Sequence, residues 1–147
     1  IILGGFGGAA ADIATYLKSA SAQLPRSLQY SQDRKVFGNP VGDYELTRVK
    51  LGRMAFVIQA ARQFAYSVAT LMAKGQGQME ASMIKVVATE LAQDVLDHAM
   101  QAHGAMGMTR ELPLQMMMQK VRTMRIYEGP SEVHRMVIAR RLLDAKK

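Results

Sequence analysis

Glu128 is set off by its neighbours in the run Ile126-Tyr127-Glu128-Gly129-Pro130-Ser131-Glu132, where it lies between an aromatic residue and a pair that starts a helix. Two chemistries suit such a carboxylate. Ahead of a helix N-terminus it compensates the helix dipole; held at the lip of a pocket it can act as a general base. Gly129 lets backbone come close to a ligand, and the amides that open the next helix can face an anion. Arg34, three residues before Phe37, offers a second kind of chemistry. A planar guanidinium bridges phosphate oxygens well, but the same pair also suits a helix-end cation beside a core aromatic. His98, His103 and His134 contain no pair at helical ligand spacing, so no metal site is expected. Gly5-x-Gly7-x-x-Ala10 has the spacing of a dinucleotide loop. Without a second strand to complete a βαβ unit it reads as a lead-in.

These residues must be positioned by helices. From Glu45 to Lys74 the apolar residues Leu46, Val49, Val57, Ile58, Ala61, Phe64, Ala65, Val68, Leu71 and Met72 recur at three- and four-residue spacing, which predicts one long amphipathic helix. Lys74 to Gln78, with two glycines, is its stop and turn. A second helix then runs from Met79 to about Gly104 through Met83, Ile84, Val87, Leu91, Val95 and Ala99. The short link makes the two antiparallel neighbours. Before them, residues 9 to 35 read as helix that Pro25 should kink or divide, and Val36 to Glu45 as an irregular connection. After them come a helix from about Leu112 to Met124, with Pro113 in its first turn, and a last one from Pro130 to about Asp144. The expected architecture is an all-α, up-and-down bundle of four or five helices.

The chain has 147 residues and 49% apolar content, as expected of one globular domain with a real core. Nineteen Lys and Arg against twelve Asp and Glu give a net charge of +7. The basic residues are scattered and no aromatics interleave with them, so nucleic-acid binding is not expected. No apolar run approaches the roughly 18 residues of a membrane span, so none is expected. The absence of cysteine rules out disulfides and thiolate metal sites. The start at Ile1 suggests a piece of a longer chain.

Four stretches carry a resemblance: YSQDRKVFGNPV (30–41), AARQFAYSV (60–68), QAHGAMGMTRELPLQMMMQKVR (101–122) and IYEGPSEVHRMVIAR (126–140). In order and separation they resemble the C-terminal helical domain of the acyl-CoA dehydrogenase family. The likeness covers residues 30–147 of a single helical domain, and 1–29 form a less similar lead-in helix.

The resemblance implies FAD-dependent α,β-dehydrogenation of acyl-CoA thioesters to 2-enoyl-CoA. Glu128 would be the base. Arg34, Phe37, the segment Gln101, Ala102, His103, Gly104 and Ala105, and Gly129, Pro130, Ser131 and Glu132 would contact FAD. Arg34 and the 101–105 segment would do so across a subunit interface, the latter through backbone N–H groups freed by glycine. Tyr127, Gly129 and Arg140 would contact the acyl-CoA. The implied partners are an electron-transfer flavoprotein as acceptor and further copies in a homodimer or homotetramer. The implied compartment is the cytoplasm, or the mitochondrial matrix in a eukaryote, and the fragment alone is expected to be inactive. Pro130 and Ala105 stand where many members have threonine and glycine, which removes some cofactor contacts, and Glu45 stands where glutamine is common, which puts a like charge nearer the FAD phosphates. The competing expectation is a non-catalytic helical module for assembly or anion binding.

Overall fold

The computed structural model describes residue 15 and residues 17–145. The Gly5–Ala10 spacing and the start of the expected first helix lie outside the described residues. Helical backbone at 17–21 turns at Ala22 and continues as α1, Gln23–Asp33. The break has a local cause: the ring of Pro25, in the first turn of α1, would clash with the carbonyl four residues back, at Ser21. A two-residue ladder follows, β1 (Lys35–Val36) against β2 (Asn39–Pro40), antiparallel with Lys35 opposite Pro40 and Val36 opposite Asn39. The connection expected to be irregular therefore contains a small hairpin. Phe37 and Gly38 form its tip, both at positive φ (52° and 87°), as a tight primed hairpin turn requires. The Tyr44 hydroxyl donates to the Val36 carbonyl at 2.6 Å and ties the hairpin to the next helix.

That helix is α2, Glu45–Ala73; α3 is Gln78–His103, α4 Leu114–Met124 and α5 Ser131–Asp144. The structure is almost wholly helical, as expected. Glycines at 75 and 77, both with positive φ, end the long helix and start its antiparallel neighbour. Pro113 and Pro130 cap α4 and α5 from just outside rather than occupying their first turns.

Helix α3 is the axis of the bundle, packed by α1, α2, α4 and α5. It is buried around most of its circumference, through Ala81, Ile84, Val86, Ala88, Ala92, Val95, Leu96 and Ala99. This all-round burial explains why a one-sided stripe describes it poorly. One core cluster joins Leu51, Met54, Val57 and Ile58 of α2 to Val95, Leu96 and Ala99 of α3 and to Leu114 and Val121 of α4. Full burial of a side chain such as Met54 or Leu96 contributes about 1.5–3 kcal/mol. A second cluster joins Val68 of α2 to Ala81, Ile84 and Ala88 near the start of α3. The first turns of α2 differ from expectation. Leu51 and Met54 enter the core, whereas Leu46 and Val49 are 77% and 68% exposed, because nothing among the described residues packs on that side. No helix among the described residues is long and apolar enough to cross a membrane.

Candidate active site

The chemistry-bearing residues separate into two places along α3. At its C-terminal end, a depression of about 400 Å³ is lined by Tyr30, Arg34, Val36, Val41 and residues 101–106. Arg34 and the Gln101–Ala105 segment, far apart in sequence, are thus brought together. The Arg34 guanidinium is exposed and makes no hydrogen bond or ion pair among the described residues. Gln101, Gly104 and Ala105 are exposed and Ala102 half-buried, while the His103 ring is buried. That ring lies 4.5 Å from the ring of Tyr30, and its Nδ1 donates to the Ala99 carbonyl at 2.8 Å. Residues 101–105 are not a loop. They are the last turn of α3 and the start of a 3-10 turn, Gly104–Met108, and the Gly104 N–H is spent on the Gln101 carbonyl in capping α3. Phe37 is 93% exposed at the hairpin tip, so its ring joins no core among the described residues.

The second place surrounds Glu128, near the other end of α3. From Lys85 to His103 is eighteen residues of helix, ~27 Å at 1.5 Å per residue. The connection between α4 and α5 is folded back on itself: Tyr127 N–H donates to the Thr123 carbonyl (3.2 Å) and Ser131 N–H to the Arg125 carbonyl (3.2 Å). The Ser131 amide is therefore not free for an anion, and its hydroxyl is buried with no hydrogen-bond partner among the described residues. Both ends of the connection are pinned to α3 by Glu90, which pairs with Arg125 (3.3 Å) and Arg135 (2.6 Å). Arg125 also donates to Gln93 at 3.1 Å.

Between those pins Glu128 adopts left-handed backbone, φ 54°, which is uncommon for a non-glycine residue. Its carboxylate is exposed and makes no hydrogen bond or ion pair among the described residues. His134 Nε2 donates to the Glu128 carbonyl at 3.3 Å. Gly129, at φ 94°, must lack a side chain, because a Cβ there would come within 2.9 Å of that imidazole. Tyr127 is half-buried, and Glu132 pairs with Arg135 at 3.7 Å. Arg140 is exposed along α5 with no ion pair among the described residues.

Sequence reasoning missed Lys85. Its side chain is buried, with the residue 5% exposed, and its Nζ donates to the Gly129 carbonyl. Burial pulls its ammonium below the ordinary lysine range, while Glu128 and then Glu132 act to hold it up. Burial likewise lowers the His134 imidazole; its hydrogen bond to the Glu128 backbone opposes this, and the Lys85 charge adds to the lowering. A signal was present: Lys85 is the one charge between Glu80 and Glu90, in an otherwise small and apolar run.

The bundle thus carries an exposed glutamate near one end of α3 and an exposed arginine beside a depression at the other. The model of the acyl-CoA dehydrogenase C-terminal domain matches residues 2–143, and the chain belongs to that family. The match extends over most of the lead-in as well as the four stretches that carried the resemblance. The probable acyl-CoA dehydrogenase YngJ of Bacillus subtilis is 38% identical over 125 residues, covering 84% of this chain and 33% of the relative. The caffeyl-CoA reductase-Etf complex subunit CarC of Acetobacterium woodii is 34% identical over 125 residues, again 84% of this chain and 33% of the relative. Butyryl-CoA dehydrogenase of Megasphaera elsdenii superposes with a TM-score of 0.90 at 32% identity, over 97% of this chain and 37% of that one. The chain thus spans about a third of the length of the relatives it matches.

Proposed function

We propose that this chain is the C-terminal helical part of an FAD-dependent acyl-CoA dehydrogenase, with Glu128 as the base that removes the α-proton of the acyl thioester. The supporting observation is the Glu128 connection itself. A strained backbone, held through Lys85, His134 and the Glu90 pairs, presents an exposed carboxylate that makes no hydrogen bond or ion pair among the described residues, and strain of that kind persists only where the surroundings over-determine it. An α-proton next to a thioester is weakly acidic, so its base must be close, aligned and shielded from water. Alignment comes from α3, α4 and α5; because Glu128 is exposed here, its shielding comes from parts outside these residues. In the reaction the α C–H bond breaks as its proton passes to a Glu128 oxygen, a C=C bond forms, and the β-hydrogen departs with its electron pair. FAD, when bound, supplies the acceptor for that hydride.

The depression at Arg34 fits the diphosphate end of such a cofactor. An exposed guanidinium with no ion pair among the described residues suits phosphate oxygens, whereas about 400 Å³ is too small for the whole molecule. It lies ~27 Å along α3 from the Glu128 connection by helix rise, so one flavin cannot touch both in the same chain. Arg34, Phe37, Gln101, Ala102, His103, Gly104 and Ala105 therefore serve the flavin of a neighbouring copy in a homodimer or homotetramer. Gly129, Pro130 and Glu132 line the edge of the chain's own site, with Tyr127 and Arg140 toward the acyl-CoA. Ser131, turned inward, supports the connection rather than the ligand. Electrons leave to an electron-transfer flavoprotein, in a cytoplasmic or matrix enzyme. The 147-residue chain alone holds flavin weakly and is inactive, since a third of the relatives' length does not enclose a ligand of that size. The exposed apolar side of α2 favours a second reading, a module that acts only in assembly.

The deciding experiment is Glu128→Gln in the complete product of the gene. Glutamine keeps the volume and has no basic lone pair, so reduction of bound flavin by saturated acyl-CoA esters in single turnover should slow by about 10²–10⁴. FAD content and acyl-CoA affinity should hold. Reduction at the parental rate would return Glu128 to the role of a helix-terminus charge.

A further inference from the structure

The least economical group in the fold is Lys85. A lysine is rarely buried unless paired, and a methionine of similar volume would fill the same space without desolvating a charge. Its surroundings specify what the ammonium does. It rises from the central helix beneath the α4–α5 connection and donates to the carbonyl of Gly129, the residue that follows Glu128. The charged and titratable groups felt at this position are Glu128 from the connection and Glu132 and His134 from α5. His134 holds the Glu128 carbonyl at 3.3 Å, so two consecutive carbonyls, 128 and 129, are each gripped by a side chain from a helix.

Fixing two successive carbonyls fixes the 128–129 and 129–130 peptide planes on either side of Gly129, and so holds the chain that leaves the left-handed Glu128. A non-glycine residue relaxes from that region unless its neighbours hold it. We propose that Lys85, together with His134, is a positioning residue for Glu128: His134 holds the 128–129 peptide and Lys85 the 129–130 peptide, so that the connection is locked and the carboxylate is presented outward at a fixed angle. This rests on the reading of Glu128 as the base. Lys85 touches neither substrate nor cofactor; it acts through the backbone of Gly129, the neighbour of the base.

The test has a structural arm and a kinetic arm. In the 147-residue chain, Lys85→Met should speed amide hydrogen exchange at Tyr127 and Ser131, whose bonds close the connection, by at least about tenfold relative to the amides of α2 and α3. Val57→Ala, a core truncation in the other half of the bundle, should raise exchange generally without singling out the connection. In the complete gene product, Lys85→Met should lower the saturating rate of flavin reduction by about 10²-fold, the scale of a misplaced base, with acyl-CoA affinity unchanged. The double variant Lys85→Met/Glu128→Gln should be no slower than Glu128→Gln alone. Should Lys85→Met fail to fold, Lys85→Gln, uncharged and too short to reach Gly129, is measured in its place. Parental flavin reduction in the lysine variant, or losses that multiply in the double variant, overturn the proposal while leaving Glu128 as the base. A parental rate in Glu128→Gln overturns the reading beneath it.

Discussion

The rings of Tyr30 and His103 lie 4.5 Å apart, tilted by 32°, and join α1 to the last turn of α3 at the floor of the Arg34 depression. The Nδ1–H of the imidazole is already committed to the Ala99 carbonyl, so the ring is fixed from two directions. A double-mutant cycle of Tyr30→Leu and His103→Leu, read by urea unfolding, should give a coupling of about 0.5–1.5 kcal/mol, the usual worth of an aromatic pair beyond its burial. A coupling indistinguishable from zero would show the two rings adjacent but energetically independent.

His134 makes stability depend on pH near neutrality. Its folded pKa is lowered, chiefly by burial, below the ordinary histidine value of 6.5. Between those two values the unfolded chain binds more protons than the folded one, so stability rises with pH across the window. The contribution is complete above 6.5 and is lost as pH falls through that value toward the folded pKa. Thermal midpoints of the parent chain should therefore decline on acidification from about pH 7.5 to 5.5, with a shallower decline in His134→Asn. Equal slopes would mean that the imidazole meets the same surroundings folded and unfolded.

Most of the helix frame was legible because its punctuation is local. The glycines at 75 and 77 and the prolines at 113 and 130 act through their own backbones, and the helix limits fall within two residues of where they point. What depended on neighbours was not legible. Leu46 and Val49 have the spacing of a buried stripe, but burial needs a facing element, and none stands there among the described residues. The hairpin at 35–40 is too short for any alternation of side chains to announce it. Among the candidate site residues, Arg34 and 101–105 do converge on one depression. That Ser131 turns inward, that the Gly104 amide is spent as a cap, and that Lys85 reaches Gly129 are outcomes of packing between helices distant in sequence.

The exposed side of α2 predicts assembly. Val49 and Phe56, two turns apart, are 68% and 61% exposed on the side away from the core, with Leu46 beside them at 77%. Apolar surface so arranged marks an interface more often than a solvated face. Sedimentation velocity at roughly tens of micromolar, suited to weak association, should show a dimer or larger species. Val49→Lys/Phe56→Lys should shift it to monomer without loss of helix. A monomeric parent contradicts this assignment.

Phe37 sets stability against function most directly. At the hairpin tip its φ is 52°, a region that costs a non-glycine residue about 1–3 kcal/mol, and asparagine before glycine is the favoured pair for this turn. Its ring is 93% exposed, so the folded chain recovers almost none of that cost through packing. Phe37→Asn should therefore stabilise the 147-residue chain by about 1 kcal/mol, read as a higher urea midpoint with an unchanged slope. If the ring is kept to pack against a neighbouring copy's cofactor, the same substitution in the complete gene product should lower flavin content after gel filtration while the chain itself becomes more stable. A variant that is both more stable and fully flavinated leaves Phe37 without that role, and a less stable one shows that the ring makes a contact within the chain.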